Sequence, residues 1–322
     1  MEKGRRISHE VGGYLDVSEG RSLFIVNPVA AGGKTGEVWP AIEAELRSLD
    51  LSFEHRFTEA PNHATSLARE GVEEGYDMLV AVGGDGTVNE VVNGLMSPGT
   101  ERADAVLGIV ITGRGSDLAR TIGIPANHAE ACARLTGDRT MTVDLGLVGF
   151  SQEGERRERY FVNVGGGGFD GEVAVRANRA PNFMGGTIPY LSSLVTTLIT
   201  YRNKAIELIL DEGEPMQMVV NSVIVANCQY FGGGMRVAPD ADPNDGLFDV
   251  IVIGDIDKID FLMTVPKVYD GTHITHPQVD AYRAKRVELL SEEALLLQVE
   301  GEVCGHTPLT FTIIPSALQI RV

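Results

Sequence analysis

Cysteine is scarce in this chain, and so is positive charge. The 322 residues include three cysteines, Cys132, Cys228 and Cys304, scattered and with no CxxC pair. That spacing gives no zinc site and suits a reducing compartment. Lysine and arginine number 27 against 45 aspartates and glutamates, a net charge of −18. Neutralising a phosphate backbone needs a basic face, so nucleic acid is excluded as a partner, and so is broad electrostatic adhesion to anionic lipid. Any membrane-surface contact must be local and transient. Arg156, Arg157 and Arg159 are its candidate, against the competing reading of a solvated hairpin tip. No apolar run reaches the length of a membrane span, and the first ten residues lack the apolar segment of a signal peptide, so a cytoplasmic location is expected. His273 and His276 lie near one another but are expected to be a surface pair without further ligands.

What the chain does have is glycine set between apolar runs. Asp77–Val82 reads as a buried strand, Val91–Met96 has helical spacing, and Gly83-Gly84-Asp85-Gly86-Thr87-Val88-Asn89-Glu90 fills the turn between them. Three glycines around one carboxylate let the backbone approach a ligand and expose N–H groups, a phosphate cradle holding a metal ligand or a base. An ordinary glycine-rich turn is the plain alternative.

At 322 residues, 43% hydrophobic and 22% charged, the chain is long enough for two domains with separate cores. Residues 1–20 read as a loose arm. Leu23–Val26 is a first buried strand running into Asn27-Pro28-Val29-Ala30-Ala31-Gly32-Gly33-Lys34-Thr35-Gly36. A P-loop would need glycine where Pro28 stands, so that motif is rejected, and Asn27, the exposed N–H groups and Lys34 are kept as candidates to face a phosphate. A helix with Val38, Trp39, Ile42, Leu46 and Leu49 on one stripe follows, then a half-exposed strand at 51–57, Thr58, and a helix capped by Asn62. Ala105–Ile111 is another strand, followed by Gly113-Arg114-Gly115-Ser116-Asp117 and a short helix. Strands alternating with amphipathic helices predict a parallel sheet covered on both faces, with all three glycine-rich turns at its carboxyl edge, where ligands bind in open α/β folds.

From about residue 140 the rhythm changes to strands and hairpins: 159–164, 204–210, 217–227, 247–253, 284–290, 295–300 and 307–314, with helices around 169–178, 187–200 and 258–266. The expected division is an α/β domain over 21–140, a β-rich domain over 141–314, and a last strand after Pro315 that returns to the first domain over 315–322. Asp242-Pro-Asn244-Asp245-Gly246-Leu247 fails as an EF-hand yet could hold magnesium through Asp245 and neighbouring carbonyls, or be a plain Asp-Gly turn. Glu300-Gly301-Glu302 would place two carboxylates on one strand face, where repulsion raises one pKa and favours proton acceptance or a cation between them; a solvated turn is the alternative. The helix at 187–200 carries more apolar surface than one stripe needs, which suits either a wall for an acyl chain or a core helix.

Taken together these residues resemble the soluble bacterial diacylglycerol kinase family, whose catalytic domain is shared with sphingosine and ceramide kinases. Residues 83–94 match Gly-Gly-Asp-Gly-Thr-x-Asn-Glu-Val-Val-Asn-Gly in full, and Asn27-Pro28 matches the family's opening Asn-Pro-x-Ser-Gly with Ala30-Ala31 in place of Ser-Gly. Gly113–Arg120 matches a third motif around Asp117, with Arg114 and Ser116 as departures; Arg114 replaces a nucleotide-contacting threonine and could clamp phosphate instead. The resemblance implies a Rossmann-like three-layer nucleotide-binding domain and a C-terminal β-sandwich domain, with the active site in the cleft between them. It implies ATP and Mg2+, with phosphates held by residues 83–89 and 27–31, a contact from Thr58, and Asp85 facing the catalytic ion. It implies a structural magnesium ion at Asp242, Asp245 and Leu247, Glu300 as proton acceptor, and Glu302 beside it. The expected activity is phosphorylation of the primary hydroxyl of a diacylglycerol-like lipid alcohol. The rivals are a sphingoid-base or NAD kinase, or a non-catalytic nucleotide or lipid sensor. A homodimer is compatible with all of these.

Overall fold

The computed structural model describes residues 20–96, 99–113, 117–179 and 187–322, with backbone alone for 177–179 and 187–193. The predicted arm, Arg114, Ser116 and Gly185-Gly186 therefore lie outside the described residues or almost wholly so.

The first part alternates as its apolar periodicity requires. Strand β1 (Ser22–Val26) leads through a 3-10 turn at Ala30–Gly33 into α1 (Lys34–Ser48), followed by β2 (Phe53–Phe57), α2 (His63–Glu73), β3 (Met78–Gly83), α3 (Asp85–Leu95), β4 (Val106–Ile111), α4 (Asp117–Ile122) and α5 (His128–Leu135). β2, β1, β3 and β4 are parallel and adjacent in that order. Successive side chains of each strand point to opposite faces. Leu23, Ile25, Leu79 and Ala81 accordingly meet Leu67, Val91 and Val92 of α2 and α3 on one side. Phe24, Val26, Val80 and Val82 meet Trp39, Ile42, Leu46 and Leu135 on the other.

The second part comprises β5 (Thr140–Gln152), β6 (Glu155–Phe161), β7 (Val164–Gly168), α6 (Phe169–Arg179), α7 (Thr187–Thr200), β8 (Lys204–Leu210), β9 (Met216–Val220), β10 (Ser222–Ala226), β11 (Phe248–Ile253), α8 (Lys258–Val268), β12 (Val279–Ala284), β13 (Arg286–Leu290), β14 (Leu296–Val299) and β15 (Glu302–Arg321). Its pairings are antiparallel, and one apolar core lies among Val148, Phe161, Leu208, Val250, Leu297 and Phe311.

β15 joins the two parts. Its first half pairs β14 and β13, it follows β5 from His306 to Arg321, and near its end Ile320 sits beside Leu107 of β4 in parallel register. The strand predicted at 307–314 and the separate one after Pro315 are thus one element, because Pro315 falls where the register with β5 shifts and costs no ladder bond there. The run 217–227 is divided at Asn221, and 159–164 belongs to two strands, β6 and β7.

Candidate active site

Three loops at the carboxyl edge of the parallel sheet converge. After β1, Ala31, Gly32 and Gly33 have φ of 54°, 71° and 93°, a left-handed run closed by the Gly33 N–H on the Val29 carbonyl, and Ala31 adjoins Gly113 of the loop after β4. Thr35 ties the two, donating to the Ala30 carbonyl and sharing a 2.6 Å hydrogen bond with Thr112. Asn27 reaches the third loop, its Nδ2 donating to Thr87 Oγ1 at 3.0 Å. A Cβ on Gly83 would stand 2.4 Å from that same Oγ1, so only glycine lets the turn close. Thr58, buried at the end of β2, donates its N–H to Val26, which places it beside Asn27. Pro28 is half-buried, whereas Val29 and Lys34 are exposed on the turn.

The glycine-rich turn is shorter than the sequence suggests. Asp85 already occupies the first turn of α3, so its carboxylate lies at the positive end of that helix. Asp85 Oδ2 accepts the Asp117 N–H at 3.1 Å. Val88 points into the hydrophobic core, leaving only its backbone for a ligand. Asn89 is buried and faces the second part of the chain, its Nδ2 donating to the Tyr160 carbonyl and its Oδ1 accepting from Arg159.

That second part supplies the facing wall. Glu300 and Gly301 form the two-residue turn between β14 and β15, with φ of 52° and 84°. Positive φ at both central positions matches the twist of a tight hairpin but is uncommon for glutamate, and such outliers cluster at functional sites. Glu300 Oε1 accepts the N–H groups of Val162 and Asn163 at 2.9 and 2.7 Å. Burial, opposed by the Asn163 N–H and joined by the charge of Asp85, pushes its carboxyl up to about 7. The two carboxylates are therefore near enough for the charge of Asp85 to bear on Glu300. Asp117, also buried, accepts Gly233 and Gly234 N–H at 2.9 and 2.8 Å, and burial first, then Asp85, raises its pKa.

The expected Glu300/Glu302 pair is corrected. The tight turn sends the two side chains apart, and desolvation with Asp85, not repulsion by Glu302, is what raises Glu300. Glu302 lies against the start of α3, its Oε1 3.5 Å from where a Gly86 Cβ would be, and its Oε2 accepts Arg159 Nη2 at 2.7 Å. Arg159 is thus no solvated hairpin tip. It links Asn89 of α3 to Glu302 of β15, while Arg156 and Arg157 remain exposed. Sequence reasoning placed Arg159 in a membrane-contact cluster rather than here, and missed Asn163 and the Gly232–Gly234 loop; three consecutive glycines after an apolar strand were the available signal for the last. A cavity of about 420 Å³ opens beside Arg159, lined also by Thr65, Arg69, Glu90 and Asn93.

The Asp85 carboxylate offers oxygen ligands, suited to a hard cation such as Mg2+, which is commonly held by one or two carboxylates together with substrate phosphates. Among the described residues no group of three or more acidic, histidine or cysteine side chains forms an all-protein cage. The Asp242–Leu247 loop does not fit an ion as it stands. Asp245 Oδ1 accepts the Leu247 N–H, Oδ2 is ion-paired with Arg283, and Asp242 Oδ1 accepts the Asn244 N–H, so a cation would have to displace a guanidinium. His273 is buried rather than on the surface, with Nε2 on the Val237 carbonyl, and burial lowers its pKa. His276 Nε2 pairs with Asp260.

A parallel α/β layer with glycine-rich loops at its carboxyl edge, joined to a β-sandwich-like part, is the two-part plan of a kinase family. Two family models match the chain: the diacylglycerol kinase catalytic domain over 21–148, and the YegS C-terminal NAD kinase beta sandwich-like domain over 163–322. The chain belongs to the bacterial diacylglycerol and lipid kinase family. It is 27% identical over 321 residues to a diacylglycerol kinase of Mycobacterium tuberculosis, covering 99% of this chain and 98% of that one. It is 29% identical over 252 residues to one from Bacillus subtilis, covering 78% and 79%. The fold is similar to the crystal structure of a diacylglycerol kinase from Bacillus anthracis, with TM-score 0.69, 21% identity and 94% and 96% of the two chains covered. It is also similar to an NAD kinase from Archaeoglobus fulgidus in complex with ATP, with TM-score 0.51, 13% identity and 94% and 93% covered.

Proposed function

We propose that this kinase transfers the γ-phosphoryl group of ATP to the primary hydroxyl of a diacylglycerol-like lipid. The observation that supports the reading is a buried Glu300 carboxyl, fixed by two backbone N–H groups and near enough to Asp85 of the nucleotide-loop side to feel its charge. Phosphoryl transfer asks a protein mainly for positioning and charge neutralisation. The backbone of Asn27–Ala31 and Gly83–Asn89, with Lys34 and Thr58 at the rim, orients the triphosphate. Asp85 would hold Mg2+, which would supply neutralisation of phosphate charge. Glu300 receives the hydroxyl proton as the new O–P bond forms and the bond to the departing ADP oxygen breaks. A carboxyl of pKa about 7 is matched to that task near neutral pH. Arg159 and Asp117 hold the two walls in register.

The test offers labelled ATP with magnesium to diacylglycerol, sphingosine and NAD in parallel, with products identified by mass spectrometry. Label in phosphatidic acid is expected, falling by about 10²–10⁴-fold in Asp85→Asn and Glu300→Gln. Label in NADP alone would establish the second reading, which the NAD kinase likeness of the fold favours. ATP binding without turnover of any alcohol would establish a sensor.

A further inference from the structure

Helix α8 is built the wrong way round for a helix on a protein surface. The residue it buries is polar, Thr264, whereas Ile259, Leu262, Met263 and Pro266 face outward. Ile259 is 74% exposed and Met263 69%. These positions follow the three- and four-residue spacing of one helical stripe. The inner side is apolar too, since Phe261 packs edge-on against Phe169 with ring centroids 4.9 Å apart and Val265 joins the same cluster. A helix apolar on every side is ordinarily covered.

The stripe does not stop at α8. Lys258 Nζ donates to the Ile199 carbonyl at the end of α7, so the two helices abut, and Ile199 is 66% exposed with Val195 also outward one turn earlier. Tyr269 stands exposed just past α8. The polar residues of this face sit at its margins, with Lys258 and Lys267 near the two ends of α8. The nearby acids are turned to internal partners: Asp257 caps α8, Asp260 bonds His276, Asp255 accepts from Asn203 and Asp270 from Thr272. An apolar stripe bounded by lysines and a tyrosine is the pattern of a helix lying in the interface of a bilayer, where long basic side chains reach the headgroups and amphipathic rings sit among them.

We propose that the outward face of α8, continued by Val195 and Ile199 of α7, is the surface with which this protein docks on a lipid bilayer. The choice of a bilayer over a protein rests on the lipid-kinase reading above, since that substrate resides in a membrane, and on the bordering lysines. Local apolar insertion also accounts for docking by a chain whose net charge of −18 opposes anionic lipid. The face lies close to the chemistry. Phe169, beneath α8, begins α6 directly after β7, and the Val164 carbonyl at the far end of β7 accepts the Glu300 N–H; β7 itself spans roughly 13 Å at the rise of a strand.

The test is sedimentation of the full chain with phosphatidylcholine vesicles, with and without phosphatidylglycerol and free of diacylglycerol and ATP, so that binding is read independently of any activity. Wild type is expected to sediment with the vesicles, and Ile259→Ser/Met263→Glu to bind at least about tenfold more weakly, given what burying two such side chains contributes. Arg156→Ser/Arg157→Ser should bind as wild type. Unchanged melting of both variants separates docking from folding. A short-chain diacylglycerol dispersed as monomers should be phosphorylated by Ile259→Ser/Met263→Glu at the wild-type rate, while turnover of vesicle-borne lipid falls. Equal vesicle binding by wild type and the α8 variant, no binding by wild type, or a sedimentation-velocity shift from dimer to monomer with binding unaltered would each overturn the proposal, the last by showing that a second copy covers the face. Vesicle binding lost in the α8 variant without phosphorylation of any diacylglycerol would uphold the docking surface and remove the substrate.

Discussion

Glu300 has an ordinary carboxyl placed where ionising it is expensive, and that has a consequence for stability against pH. Its pKa rises from 4.5 to about 7 on folding, so the folded protein holds the proton more tightly than the unfolded chain. The protonated group therefore contributes stability fully below about pH 4.5, and that contribution is lost as pH rises through about 7. Glu300→Gln keeps the acceptor for Val162 and Asn163 and never ionises. Its stability relative to wild type should increase between pH 5 and pH 8, by up to about 3 kcal/mol in urea titrations. A constant difference across that range would show that the buried charge is not what shifts the group. Turnover by wild type should rise with pH to a plateau above about 7, because the carboxylate is the proton-accepting form. At this scale the sequence singled out Glu300 and Asp85 as candidates, because each sits beside glycine at the end of an apolar strand and within a motif of the family resemblance. Arg159 was illegible because its partners, Asn89 and Glu302, are far from it in sequence, and an arginine cluster on a hairpin is by default a solvated one.

Elements were legible where side-chain periodicity decides them and misread where a backbone or a neighbour decides. The strand β7 consists largely of glycine and falls between the predicted strand at 159–164 and helix at 169–178, yet Gly165, Gly166 and Gly167 pair with both β10 and β14, and Asp170, Val223 and Phe311 fill the space where their side chains would be. Asn62 looked like the cap of α2, but it adopts φ 62° and makes no side-chain cap; Glu90 of α3 accepts the Ala64 N–H in its place. The contact between α2 and α3 turns on Gly94. Helix propensity alone says that Gly94→Ala should stabilise by about 1 kcal/mol. The added Cβ, however, would lie 2.4 Å from the Thr65 carbonyl and 2.5 Å from the Ala68 Cβ, and backbone cannot swing aside as a flexible side chain can. Overpacking of this kind costs about 1–3 kcal/mol, so net destabilisation is expected in thermal or urea melts. A gain in stability would mean that the two helices can separate freely.

Over the whole molecule, β15 makes two cores answer to one strand. Leu309, Phe311 and Ile313 belong to the antiparallel core, whereas Ala317, Leu318 and Ile320 belong to the core beneath the parallel sheet. Ile320→Ala should cost about 2–5 kcal/mol, with near- and far-ultraviolet signals still melting together; separated transitions would show that the parts unfold independently. The sequence anticipated the last strand's return but divided it at Pro315, since nothing local reveals that a proline coincides with a register shift. The same feature constrains synthesis. β4 emerges from the ribosome roughly two hundred residues before Ile320, its neighbour, and at about 5–20 residues per second that edge stays open for on the order of ten seconds or more. An unpaired strand edge held that long invites other nascent chains, so a chaperone bound during translation would protect this protein at the parallel sheet first.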